Sequence, residues 1–120
     1  MKRTPLHETV AITKALADRQ RIRILMLLTG GELCVCQIVE VMALAASTVS
    51  KHLSLLAAAG LAEGRKEGRW AYYQASPKEP IIAWLLKSLP ADPQIKQDQA
   101  RLKSIKKTNP DDLCRQQRAS

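Results

Sequence analysis

Two thiols one residue apart, Cys34 and Cys36, and a third far along the chain, Cys114, are the side chains with the most distinctive chemistry. Thiolates are soft donors, so the pair favours thiophilic ions over Mg²⁺ or Ca²⁺. The sequence holds only two histidines, His7 and His52, and neither lies close to the pair, so an ordinary zinc site is not indicated. Residues Leu33 to Met42 read as a short helix. On a straight helix, positions i and i+2 point about 200° apart. Cys34 and Cys36 can then share one ion only if the first turn is distorted, and ligation is expected to unwind or twist this helix. Two other uses of the pair stay open. Free cysteines serve as small buried apolar residues in many cores, and neighbouring thiols can form a reversible oxidation switch. Cys114 follows Asn109-Pro110-Asp111-Asp112, which supplies a cap, a proline at the first helical position and acids in the first turn. It is expected on a short helical turn.

The second constellation is Ser47-Thr48-Val49-Ser50-Lys51-His52-Leu53-Ser54. A helix capped by Ser47 and ending at Gly60 would bury Val49, Leu53 and Leu56 on one face. Ser47, Thr48, Ser50, Lys51, His52 and Ser54 are left outward near its N-terminus. Short hydroxyls there let a helix sit deep in a major groove, and the positive end of its dipole attracts phosphate. A capped surface helix with a solvated lysine would carry the same residues, and the next segment decides between the two. Strands Leu61–Lys66 and Arg69–Gln74 flank Glu67-Gly68, where Gly68 supplies the left-handed backbone of a tight hairpin. Arg65, Lys66 and Arg69 cluster at its tip, where they can lie along a DNA backbone or reach a minor groove. The helix ending at Met42 and the one opening at Ser47 are joined by the short connection Ala43-Leu44-Ala45-Ala46, the pattern of a helix-turn-helix, and a basic hairpin directly after it is a wing. Trp70, Tyr72 and Tyr73 are expected to anchor its second strand on the helices rather than stack on bases.

The elements that must position these groups follow from the apolar pattern. A helix over residues 5–17 carries Leu6, Val10 and Leu16, with Pro5 near its first turn. Asp18 caps a second helix, Arg19 to Thr29, whose run Ile22, Ile24, Leu25, Met26, Leu27 and Leu28 is apolar nearly all round and therefore central. Gly30-Gly31 stops it. After the hairpin, Pro77 and Pro80 open a helix over Lys78–Leu89. Its apolar residues Ile81, Ile82, Trp84, Leu85, Leu86 and Leu89 cover more than one face, too much for so small a core. This helix and the first are expected to form a homodimer interface. Gln94–Lys107 shows only a thin stripe of Ile95, Leu102 and Ile105 and is expected to be weakly held. The fold class is thus mainly α with a small β-hairpin, a winged helix-turn-helix in the order ααααββα. Residues 1–89 form the DNA-binding and dimerisation domain, and residues 90–120 form a basic extension carrying Cys114.

The 120 residues carry 19 basic and 11 acidic side chains, a net charge of +8 that suits a polyanionic partner. Residues 1–93 hold twelve and eight of these and residues 94–120 seven and three, so each part is +4. No stretch approaches the ~20 apolar residues of a membrane span, and no signal-peptide core follows Met1. A cytoplasmic chain with reduced thiols is expected.

Three stretches resemble the ArsR/SmtB family of metal-responsive winged-helix repressors: Ala15 to Leu25, Ser47 to Leu61, and Arg65 to Tyr73. The resemblance covers residues 8 to 89. It implies a homodimer that represses a resistance operon by binding double-stranded operator DNA and leaves on taking up an inducer. Glu32-Leu33-Cys34-Val35-Cys36 further resembles the family's arsenic-responsive box, which usually continues Asp-Leu-Cys. Here Gln37, Ile38 and Val39 stand in those places, so the third thiol is missing. The resemblance implies trivalent arsenic, as arsenite, or antimonite as inducer, held by Cys34 and Cys36, with no organic cofactor. Inorganic trivalent arsenic takes three thiolates, and a methylated arsenical has two exchangeable positions. Cys114 either folds back, on its own or the other subunit, to complete a three-sulfur site, or is an exposed tail thiol without a role.

Other function classes fare worse. No Cys-x-x-Cys lies in a βαβ setting, and no His–Cys or carboxylate pair suggests a catalytic centre, so the chain is not read as an enzyme. A protein-interaction module whose wing contacts protein would bind duplex DNA weakly and without salt dependence. A thiol-oxidation-responsive winged-helix regulator is the alternative within DNA binding.

Overall fold

Asp18 shows how local chemistry sets the architecture. Its Oδ1 accepts from the backbone N–H groups of Gln20 and Arg21 at 2.8 and 3.1 Å, which starts helix α2 (Arg19–Leu28) immediately after α1 (Pro5–Leu16). Arg21 then closes the corner, donating from Nε to the Ala15 carbonyl at 2.7 Å and from Nη2 to that of Lys14 at 3.2 Å. Both carbonyls belong to the last turn of α1, where helical acceptors run short of backbone donors, and that of Lys14 also accepts from Ala17 N. The computed structural model describes residues 4–76 and 79–119. In it Ile24 to Leu28 of α2 are buried and form the middle of the core, as their all-round apolarity requires.

The chain continues as β1 (Leu33–Cys34), α3 (Val35–Met42), α4 (Ala46–Ala58), β2 (Ala62–Glu67), β3 (Trp70–Ala75), α5 (Pro80–Ser88), α6 (Pro93–Ile105) and α7 (Pro110–Ala119). Three differences from the sequence expectation follow from pairing and capping. First, Leu33 and Cys34 are not the opening turn of the third helix. They pair antiparallel with Tyr73 and Tyr72, which makes the wing a three-stranded sheet in the order β1-β3-β2. Second, Ser47 is not the cap of α4. Ala43 adopts a left-handed conformation (φ 54°) that ends α3, and the chain re-enters a helix at Ala46, so Ser47 lies inside the first turn. Third, β2 and β3 are each displaced one residue, with Glu67 opposite Trp70, and Arg69 lies in the turn with Gly68 (φ 61°). The expected start of α5 at Pro77 and Lys78 lies outside the described residues.

The segment expected to be weakly held is firmly docked. On α6, Ile95 and Leu102 join the core, and Asp98 is only 2% exposed. Its carboxylate accepts from Arg23 Nε and Nη2, both at 2.8 Å, and from Gln94 Nε2 at 2.9 Å, while Arg23 Nη1 donates to Gln20 Oε1 at 2.6 Å. A buried carboxylate needs such partners, and these fasten α6 to α2. Arg101 adds a bond from Nη2 to the Glu40 carbonyl at 2.9 Å, tying α6 to the end of α3. Helix α7 starts where the sequence indicates, with Asn109 Oδ1 accepting from Asp111 N at 2.8 Å, but it runs for ten residues rather than a single turn.

Candidate sulfur centre and nucleic-acid interface

Cys34 closes β1 and stands as the cap residue of α3, with extended backbone (φ −71°, ψ 143°), and Cys36 lies in the first turn after it. The two are therefore not on one straight helix, and their sulfurs converge without any unwinding of α3. The distortion expected from a helical i, i+2 pair is not needed. Cys114 of α7 completes the group. All three Sγ atoms lie within 4.8 Å of one another. Cys36 and Cys114 are joined by a disulfide, Cα–Cα 5.3 Å, and Cys34 Sγ lies 3.5 Å from Cys114 Sγ. The expectation of three reduced thiols is thus not met in this structure, because α7 seats Cys114 directly on Cys36. Nor is Cys114 an exposed tail residue: it is 0% exposed and Cys34 is 1% exposed, while Cys36 is half-buried.

The surroundings fix this geometry. Gln37 turns back so that Oε1 accepts from Cys34 N at 2.9 Å. Gln117, one turn beyond Cys114, donates from Nε2 to the Cys36 carbonyl at 2.8 Å and to Glu40 Oε1 at 3.0 Å. Burial pushes the Cys34 thiol above the ordinary cysteine range, and the Asp111 carboxylate adds to this. The backbone N–H groups of Cys36 and Val35 oppose it. Neither glutamine carries an obvious signal in sequence. The cue available for Gln37 was its place three residues after a helix-start position.

The residues read as DNA-contacting fall into two groups. Ser47, Thr48, Ser50, Lys51 and Ser54 are exposed on α4, opposite the buried Val49, Leu53 and Leu56. His52 is half-buried, with Nδ1 3.5 Å from Arg21 Nη1, and it lines a shallow depression with Asp18, Arg21, Ser47, Thr48 and Lys51. On the wing, Lys66 and Arg69 are exposed and enter no ion pair among the described residues. Arg65 differs. It donates to both Glu32 oxygens at 2.7 and 2.8 Å and to Glu67 at 3.2 Å, and its guanidinium lies over the Tyr72 ring, 4.7 Å from the centroid. Its charge is matched by two carboxylates, and the bond to Arg65 holds the Glu32 carboxyl below its usual range.

Of the three aromatics on β3, Tyr73 packs against the core as expected. Trp70 and Tyr72 project from the opposite face of the sheet by strand alternation. There Tyr72 carries Arg65, and Trp70 carries Arg118 of α7, whose Cζ lies 5.8 Å from the ring centroid. Because Cys34 pairs with Tyr72, the sulfur centre adjoins the outer face of the wing.

Comparison with known proteins accords with this architecture. The sequence profile of the bacterial regulatory proteins of the arsR family matches residues 10–63. The arsenical resistance operon repressor of Escherichia coli is 40% identical over 79 residues, 65% of this chain and 66% of its own length. The chain thus spans just under two thirds of that relative. The arsenic resistance transcriptional regulator ArsR2 of Pseudomonas putida is 34% identical over 98 residues, covering 78% of this chain and 85% of its own. Among solved structures, the homodimeric winged helix-turn-helix DNA-binding domain of a possible ArsR-family transcriptional regulator from Mycobacterium bovis superposes with a TM-score of 0.60 at 30% identity. That match covers 72% of this chain and 83% of the other. No single helix among the described residues is long and apolar enough to cross a membrane. A helix-turn-helix followed by a sheet-built wing, matched by relatives at this level, places the chain in the ArsR family of winged-helix regulators.

Proposed function

We propose that this protein is a cytoplasmic, homodimeric repressor, not an enzyme, that releases operator DNA when Cys34, Cys36 and Cys114 take up trivalent arsenic or antimony. The observation that carries this reading is the convergence of three sulfurs, from β1, α3 and α7, to within 4.8 Å. The inducing form is the reduced protein. Arsenous acid exchanges three hydroxyl groups for three thiolates, each departing with a thiol proton as water, and a methylated arsenical makes two such exchanges. The donor set is all sulfur and largely buried, which suits a soft ion and excludes water from it. DNA is held by Ser47, Thr48, Ser50, Lys51, His52 and Ser54 on α4 and by Lys66, Arg69 and Arg65 on the wing, the last after exchanging its carboxylate partners for phosphate. Residues 1–89 serve as the DNA-binding and dimerisation domain and residues 90–120 as the extension that brings Cys114. The exposed apolar residues Leu6 and Val10 of α1 and Trp84 and Leu86 of α5 supply the dimer face.

The Cys36–Cys114 bond favours a second reading, a thiol-oxidation-responsive regulator. A peroxide would oxidise the two thiols to the disulfide and be reduced to water. The two readings separate on the reduced protein bound to the DNA upstream of its own coding sequence. Arsenite should release it at concentrations where peroxide does not. Release by peroxide with no effect of arsenite would leave the oxidation reading standing and the metalloid reading excluded.

A further inference from the structure

We infer that α7 is a further part of the DNA-binding surface, with Arg118, seated at the wing tip on Trp70, contacting the phosphate backbone of duplex DNA. The inference rests on the reading of Lys66 and Arg69 as a DNA-contacting wing. Helix α7 lies across the outer face of the sheet. Cys114 in its first half lies 3.5 Å from Cys34 of β1, and Arg118 in its last turn lies over Trp70. Trp70 faces Glu67 in the last pair before the hairpin turn, so α7 runs from the sulfur centre towards the tip. A guanidinium attracted to the face of an indole keeps its N–H donors available to a phosphate.

Charge at the tip sharpens the argument. Glu32 and Glu67 satisfy Arg65, which leaves Lys66 and Arg69 as the wing's cations without an ion pair among the described residues. Arg118, also outside any such pair, raises that set from two to three, and the exposed Arg115 lies one turn before it on the same helix. The placement also shortens the path from inducer to DNA. Cys114 and Arg118 are four residues apart, about 6 Å along the axis and on nearly the same face of one helix. An ion held by Cys36 and Cys114 in place of the bond between them sets a new spacing of α7 on α3. Arg118 moves with it as part of the same rigid element.

A phosphate contact is independent of sequence, so the probe is a fluorescein-labelled duplex of mixed sequence, titrated by anisotropy across a salt series. The slope of log affinity against log salt should fall by about 0.9 for each bound protomer in Arg118→Gln, and Arg69→Gln should behave alike. Arg118→Lys should keep the wild-type slope, because it keeps the charge. A wild-type slope in Arg118→Gln alongside a reduced one in Arg69→Gln would overturn the role of α7 and leave the wing reading intact. Salt-insensitive binding by the wild-type protein would overturn both.

Discussion

At the scale of single residues, Cys114 and Asp18 carry the sharpest expectations. Cys34 and Cys36 come from a segment whose spacing marks them as a pair, whereas Cys114 reaches them only because α7 folds back over the wing. Cys114→Ser should therefore abolish DNA release by arsenite while sparing release by methylarsenite, which needs two thiolates. Cys34→Ser or Cys36→Ser should keep DNA binding and lose both responses in the same anisotropy assay. Lys51→Ala and Arg69→Ala should weaken DNA binding with the circular dichroism spectrum unchanged. Asp18 tests the fold. Burial works to raise its carboxyl pKa, but the backbone N–H groups of Arg21 and Gln20 and the charges of Arg21 and His52 outweigh it, so the net shift is downward. A lowered folded-state value contributes stability that is full above the unfolded value of about 3.9 and lost as pH falls through the lower folded one. Wild-type stability should accordingly fall more steeply than that of Asp18→Asn below about pH 4. Asp18→Ala should cost about 1 kcal/mol at neutral pH, measured by urea unfolding, through loss of the α2 cap. Coincident acid profiles for wild type and Asp18→Asn would contradict this.

At the scale of elements, the docking of α6 and the sheet of the wing depend on partners far away in sequence. Asp98 and Arg23 are separated by 75 positions, so a charged residue in a thin apolar stripe reads as solvent-facing although it is the anchor of the helix. Asp98→Ala leaves Arg23 largely buried and unpaired, and should destabilise the protein by about 3 kcal/mol. Replacing both residues together, as Arg23→Met with Asp98→Leu, should recover much of that loss. A small effect of Asp98→Ala on urea unfolding would mean that apolar packing alone holds α6. Strand β1 was illegible for a related reason. Two residues, Leu33 and Cys34, carry no alternation of their own, and their partners Tyr73 and Tyr72 lie beyond the whole helix-turn-helix. The elements with strong local signals, α2 with its Asp18 cap, the buried face of α4 and the hairpin at Gly68, were readable to within a residue or two. Gly64 adds a constraint that only the folded sheet reveals. A Cβ there would come within 2.6 Å of Tyr73 Cε1, so Gly64→Ala should displace a core-packed ring and weaken the wing.

At the scale of the whole molecule, the sulfur centre joins three elements, β1, α3 and α7. Cys34 belongs to the wing sheet, Cys36 to the first helix of the helix-turn-helix, and Cys114 to the helix that covers both. The basic wing and α4 face were legible as residue patterns, and Cys114 was legible as a candidate third sulfur, but its two alternatives, folding back or an exposed tail thiol, could be separated only by where α7 packs. Among the described residues, four of the five large apolar side chains left exposed lie on the two helices expected to pair subunits, with Leu6 75% and Trp84 61% exposed, and the fifth, Leu55, lies on α4. Trp84→Glu should shift the protein towards monomer in sedimentation velocity and lower DNA affinity with it; an unchanged dimer would place the interface elsewhere. The central claim, that three thiols of this chain form one metalloid centre, is tested most directly by arsenic K-edge absorption on the reduced protein with one equivalent of arsenite. Three sulfur neighbours in the wild type, falling to two sulfurs and one oxygen in Cys114→Ser, is the predicted result. A wild-type spectrum with fewer than three sulfurs, or one that Cys114→Ser leaves unchanged, would contradict it.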